Sequence, residues 1–169
     1  NPLFYKGNIG FIVGSEFIVI NPETGSLLTS KNFSHLSNNF SNGVAQNEEF
    51  LYFVGVDKRV HAFIQDGGFV QVFTASADND SEISSILATN EKVFFTTQAE
   101  NIVCISPDSP QKKWQYNAMD SIYAPIVLEE EYLFVGSLDS KLYKLDVTSG
   151  KLVWDVPFYT GNKIIDKPV

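Results

Sequence analysis

The chain of 169 residues holds a single cysteine, Cys104, so it can close no disulfide within itself and build no multi-cysteine metal site. Basic residues are also scarce. Twelve Lys and Arg stand against twenty Asp and Glu, for a net charge of −8. A nucleic-acid surface needs a cationic stripe to neutralise phosphates, and the adjacent pairs Lys58-Arg59 and Lys112-Lys113 do not make one. No apolar run approaches the ~18 residues that span a bilayer. Glycine-rich phosphate loops and nucleophile motifs are missing, and neither of the two histidines, His35 and His61, stands in a recognisable dyad. Helix-building stretches are few. Three sequons, at Asn32, Asn39 and Asn79, occur about as often as chance would place them.

What the chain has is aromatics. Phe and Tyr number 14 and 7, in a composition that is 44% hydrophobic. Such residues suit a pleated surface, and their arrangement is periodic. In the last quarter, runs at 132–136, 141–145 and 152–156 are separated by Leu138-Asp139-Ser140 and by the loop Asp146–Gly150, and a run at 122–128 precedes them. Short alternating runs divided by Asp, Ser and Gly read as antiparallel hairpins.

The phrase recurs three times upstream. Gly25, Gly68 and Pro110 take the place of Gly150, at intervals of 43, 42 and 40 residues. Gly55 falls opposite Gly136, and Trp114 opposite Trp154, while Thr29 and Val72 or Phe73 hold the tryptophan's place in the first two copies. Four strands per unit at a period near 40 is the arithmetic of a β-propeller. The expected units are 1–34, 35–77, 78–119 and 120–157, with 158–169 opening a further one. The expected fold is all-β, with four four-stranded antiparallel blades in a single partial propeller.

The residues Asp146-Val147-Thr148-Ser149-Gly150-Lys151-Leu152-Val153-Trp154 resemble the PQQ repeat of quinoprotein-like propellers, A-x-D-x-x-T-G-x-x-x-W, with Lys144 for Ala and Ser149 for Thr. The stretch Gly136 to Tyr143 resembles that family's hairpin, G-S-x-D-G-x-L-Y. Asp146, Ser149, Gly150, Trp154, Trp114, Gly25 and Gly68 thus form the expected structural signature. Asp opens the loop by accepting backbone N–H groups, and Gly closes it with a positive φ. The resemblance implies that the Trp docks one blade on the next. It also implies a location outside the cytoplasm, and a binding role like that of bacterial outer-membrane assembly lipoproteins and of lumenal stress-sensing kinase domains.

Enzymes with these repeats hold pyrroloquinoline quinone and Ca²⁺, often beneath a pair of adjacent cysteines. This sequence has no such pair, and its one carboxylate cluster, Asp78, Asp80 and Glu82, lacks the glycine hinge and spacing of a calcium loop. The preferred reading is a non-catalytic scaffold for protein or peptide partners, with no cofactor, no metal site and no catalytic residue. A piece of a quinoprotein dehydrogenase and a structural array in a large surface protein are the alternatives. The start at Asn1-Pro2 and the resemblance of Lys167-Pro168-Val169 to Pro125-Ile126-Val127 suggest four periods taken in phase from a longer chain. Such an arc would be completed by its own remainder or by a second copy. On the scaffold reading, titration with the quinone and Ca²⁺ should produce neither a thermal shift nor dye reduction with alcohols or aldoses. Stoichiometric cofactor in purified protein would reverse that.

Overall fold

The computed structural model describes residues 2–37, 39–66, 68–78 and 80–166; the sequon at Asn79 and the closing Lys167-Pro168-Val169 lie outside them. Sixteen strands form four sheets, each antiparallel and each built from four strands in sequence order. The first sheet holds β1 (Leu3–Tyr5), β2 (Asn8–Val13), β3 (Glu16–Ile20) and β4 (Leu27–Asn32). The second holds β5 (Phe40–Gln46), β6 (Phe50–Gly55), β7 (Val60–Ile64) and β8 (Val70–Ala75). The third holds β9 (Ile83–Ala88), β10 (Val93–Thr97), β11 (Asn101–Ile105) and β12 (Lys112–Asn117). The fourth holds β13 (Val127–Glu129), β14 (Tyr132–Gly136), β15 (Lys141–Asp146) and β16 (Phe158–Tyr159). Among the described residues there is no helix. Connectors at 33–39, 76–82 and 118–126 carry the chain from one sheet to the next.

The core lies between the sheets. Tyr5, Phe17 and Val19 of the first sheet meet Leu51, Phe53 and Phe63 of the second. The opposite face of the second sheet, with Tyr52, Val54 and Ala62, meets Val93, Phe95 and Val103 of the third. Phe94, Ile102 and Cys104 then face Leu133, Val135, Tyr143 and Leu145 of the fourth. Alternate residues of one strand therefore enter different cores. This explains why β6, β10 and β11 are buried at every position and read as unbroken apolar runs rather than alternating ones. Among the described residues every buried side-chain nitrogen and oxygen has a partner, as a close-packed interior requires.

The structure corrects the sequence reading at the chain's last quarter. The run at 122–128 becomes strand only over Val127–Glu129, although Ile122, Ala124 and Ile126 are buried and Ile126 donates its N–H to Ser85 Oγ at 3.1 Å. The run at 152–156 is not a strand. Leu152 makes a single bridge to Leu145, and the edge strand comes from Phe158–Tyr159, residues assigned beforehand to a further unit. The outer pairing of the other three sheets carries a one-residue bulge between Val19 and Ile20, Ala62 and Phe63, and Cys104 and Ile105. In the fourth sheet that irregularity widens across 153–156, and Pro157 has no N–H with which to resume the ladder sooner. Register also places Gly55 opposite Ser137 rather than Gly136, because the turns that follow align Asp57 with Asp139.

Gly150 sits at φ +69°, and a Cβ there would stand within 2.7 Å of the Trp114 indole. Gly25 sits at φ +67° with nothing within 4 Å of the same position. Gly25→Ala should therefore cost only the left-handed penalty of about 1–2 kcal/mol. Gly150→Ala should lose about 1–3 kcal/mol more through overpacking, a difference that urea unfolding would resolve. Cys104 is fully buried, and burial pushes its thiol up to about 12. Only the thiolate is nucleophilic, so an aromatic disulfide reagent at neutral pH should leave the native protein unlabelled and titrate one thiol once denaturant is added.

Candidate functional site: repeat loops and the loop face

The signature residues separate into one joint and several lone positions. Asp146 Oδ1 accepts the Ser149 N–H at 2.7 Å and the Ser149 hydroxyl at 2.6 Å, and the Gly150 N–H reaches Asp146 O at 2.9 Å. The Ser149 hydroxyl, followed by its N–H, holds the Asp146 carboxyl below its ordinary range. Trp114 leaves the outer strand of the third sheet, lies on this loop and donates its indole N–H to Val147 O at 3.0 Å. One ring and one hydrogen bond thus fasten the third sheet to the fourth.

The first-sheet loop closes on similar backbone bonds, without the hydroxyl bond of Ser149, since Thr24 Oγ1 pairs with Ser26 instead. Asn21 Oδ1 accepts Glu23 N–H at 2.8 Å and Thr24 N–H at 3.0 Å, and Gly25 N–H returns to Asn21 O at 2.9 Å. Among the described residues nothing stands within 4 Å of a Cβ placed on Gly25 or Gly68, and beside Gly68 it is Phe69 that packs on Tyr5 and Phe17 of the first sheet. In the second sheet Phe73 rather than Val72 turns into the core shared with the third. Trp154 meets Phe134 of its own sheet edge-on, with centroids 6.3 Å apart.

A broad concave surface lies where β5 turns into β6, β9 into β10 and β13 into β14. Depressions of about 390, 330 and 510 Å³ lie side by side, and Asn90 lines all three. Asn90 and Asn47 shape this surface. Asn90 Oδ1 accepts the Glu48 N–H at 3.1 Å, and Asn47 Nδ2 donates to Thr89 O at 3.0 Å, so each turn holds its neighbour. Tyr52 donates to Pro107 O at 2.6 Å from below. Phe94 and Leu128 supply an apolar floor in the 390 Å³ depression. Around the surface stand Glu48, Glu49, Asp108, Glu91, Glu130 and Glu131. Its two lysines are already engaged, Lys92 with Glu91 at 3.6 Å and Lys6 with Asp66 at 3.0 Å. Taken singly in the sequence, Glu129-Glu130-Glu131 and the two asparagines are ordinary polar turn residues. Asn47 and Asn90 lie 43 residues apart, one more than the 42 between Gly68 and Pro110, so the turn position of Asn47 is held by Thr89 in the third sheet and the repeat does not single the two asparagines out.

Other polar groups are occupied with structure. His61, 3% exposed, places Nε2 at 3.0 and 3.1 Å from the Asp57 carboxylate and Nδ1 at 2.8 Å from Gln71. The pair lies above Gly55, whose missing side chain leaves it room. Tyr143 repeats the arrangement one turn type later, donating to Asp139 at 2.5 Å; burial and then that carboxylate raise its phenol. His35 is exposed in the connector 33–39. Asp78 pairs with Lys112, Asp80 with Lys58 at 3.1 Å, and Glu82 accepts from Gln98 at 3.0 Å. Among the described residues no three His, Cys, Asp or Glu side chains gather as a metal would need.

The fold has close solved counterparts. BamB from Moraxella catarrhalis is similar at a TM-score of 0.73 and 16% identity, over 94% of this chain and 47% of that one. A chain of the mitotic checkpoint complex is similar at 0.77 and 11% identity, over 98% and 52%. Sqt1 from Saccharomyces cerevisiae is similar at 0.75 and 13%, over 94% and 46%. The chain thus spans about half the length of each, and at these identities the likeness is one of fold. No curated protein matches the sequence. The family model described as outer membrane protein assembly factor BamB, a PQQ-repeat model, matches residues 14–164. With four antiparallel sheets and the Asp146–Gly150 loop under Trp114, the chain is a β-propeller array and belongs to this BamB-like PQQ-repeat family.

Proposed function

We propose that the chain is a non-catalytic scaffold that binds protein or peptide partners through its loop face and exposed edges. The observation that carries this reading is the run of three adjoining depressions around Asn90. A long, shallow, polar surface with an apolar floor suits an extended segment of another chain better than an enclosed small molecule. Backbone and amide groups of the turns offer hydrogen bonds along it. The carboxylates at its rim, with both lysines paired, favour a segment that carries Lys or Arg. The outer strand Leu27–Asn32, exposed throughout, offers a second, edge-pairing mode. The family's description as an assembly factor supports a partner-binding role and, by the same resemblance, a location outside the cytoplasm.

Fluorescence polarisation with labelled, unstructured peptides tests the reading. Lysine-rich peptides interspersed with Leu or Phe should bind, more weakly as salt rises, and glutamate-rich ones should not. A combined Glu48→Gln, Glu91→Gln, Glu131→Gln variant keeps the shape of the turns and should lose about tenfold in affinity. Equal binding of both peptide sets, or of the variant and the parent, would refute it.

A further inference from the structure

Of the three adjoining depressions, the one between the third and fourth sheets is built differently from its neighbours. Its floor is apolar: Phe94 of β10, Leu128 of β13 and Val147 of the loop after β15. The depression shared with the second sheet sets Phe50 and Pro107 among carboxylates and amides, and the remaining one has Ala88 as its only apolar residue. Phe94, Leu128 and Val147 all belong to or pack on the core that joins the third and fourth sheets, so the floor is continuous with it.

The walls are fixed before anything enters. On one side Thr89 donates its N–H to Lys92 O at 2.8 Å, and Thr89 Oγ1 accepts the Lys92 N–H at 3.0 Å. On the other, Val147 donates its N–H to Glu131 O at 3.0 Å, and Val147 O accepts the Trp114 indole N–H at 3.0 Å. The Trp114 ring also lies 5.8 Å from that of Phe94, centroid to centroid. The tryptophan that fastens the third sheet to the fourth therefore holds a wall of this depression and braces its floor. A cavity that needs no rearrangement loses little affinity to ordering. The mouth is polar. Glu91, Glu130 and Glu131 stand there with Lys92, whose ammonium is 3.6 Å from Glu91. Asn90 spends its Oδ1 on the Glu48 N–H, and among the described residues its Nδ2 has no acceptor.

We propose that this depression is the anchor pocket for the bound segment: it takes one Leu or Phe side chain flanked by Lys or Arg, and Trp114 is the residue that positions its wall. The occupant follows from the parts. A depression of about 390 Å³ with an apolar floor suits one aliphatic or aromatic side chain. Three carboxylates against one paired lysine suit cationic residues on either side of that anchor. Asn90 Nδ2 is left to donate to a backbone carbonyl of the same segment. A second copy of the chain, at a net charge of −8, would bring like charge to this rim and is the poorer occupant. The inference rests on the peptide-binding reading and adds which residue of the segment is held and by what.

Double-mutant cycles test it, by fluorescence polarisation of the full chain with two labelled peptides. One carries a single Leu between lysines in a Gly-Ser background, and the other has Ser in place of that Leu. The Leu peptide should bind the parent protein about tenfold more tightly than the Ser peptide. Leu128→Thr and Trp114→Phe should each shrink that ratio to about threefold or less and leave the affinity for the Ser peptide unchanged. A merely structural loss would weaken both peptides alike. Val147→Thr, which keeps the outline of the side chain, serves in the same way should Leu128→Thr unfold the protein. Trp154→Phe, which lines none of the depressions, should leave the ratio intact. Benzylamine, a ring and a charge without a chain, should compete only at millimolar concentration. Failure of both peptides to bind would overturn the peptide-binding reading and this inference with it. Equal affinity for the two peptides, or a ratio that survives all three substitutions around the pocket, would overturn the anchor pocket alone. Competition by benzylamine at micromolar concentration would overturn the segment as its occupant.

Discussion

Sheets with two apolar faces cannot stand alone in water, and the whole arrangement depends on each one finding a neighbour on both sides. Phe50 to Gly55 sends Tyr52 and Val54 one way and Leu51 and Phe53 the other, so the second sheet is at once the lid of one core and the floor of the next. Stability in such an array is approximately a sum over junctions. The aromatic content follows from this. Phe17, Phe33, Phe53 and Phe63 pack with centroids 4.6 to 5.5 Å apart in the first junction, where offset and tilted rings gain beyond simple burial.

The number of sheets, their strand count and the connectors between them were legible because turn chemistry recurs with the repeat. Asp, Asn and Gly cannot be moved from these loops without losing the bonds that Asp146 and Asn21 accept. Register was less legible. Gly55 and Gly136 look alike in sequence, yet Gly55 makes room for the Asp57–His61 pair, whereas Gly136 makes room for Ile164. The last edge strand was misplaced for a related reason: a bulge is a matter of pairing geometry, and residues 152–156 are apolar enough to read as strand whichever way they pair.

The concave loop face was almost invisible in the sequence, since it is made of turns from different sheets. Asn47, Asn90 and Glu131 are ordinary turn residues one at a time. They form a surface only because the propeller stacks equivalent turns side by side, and because Asn47 and Asn90 reach across to the next turn instead of capping only their own. Trp114 was legible in its role and Trp154 only in its type, since what a docking ring covers depends on the neighbour it is given.

The hairpins between the second and third strands of the last three sheets share one odd residue. Lys58, Glu100 and Ser140 occupy equivalent positions with φ of 64°, 69° and 66°, in the left-handed region, where the related repeat consensus places glycine. Each departure costs about 1 kcal/mol, and the chain has accepted it three times. Such tolerance is what lets a repeat drift. While the junctions between sheets carry the stability, the tips of the hairpins are free to exchange a comfortable residue for a charged or hydroxylated one. An array of this kind can therefore diversify the chemistry it displays one tip at a time, without renegotiating its core.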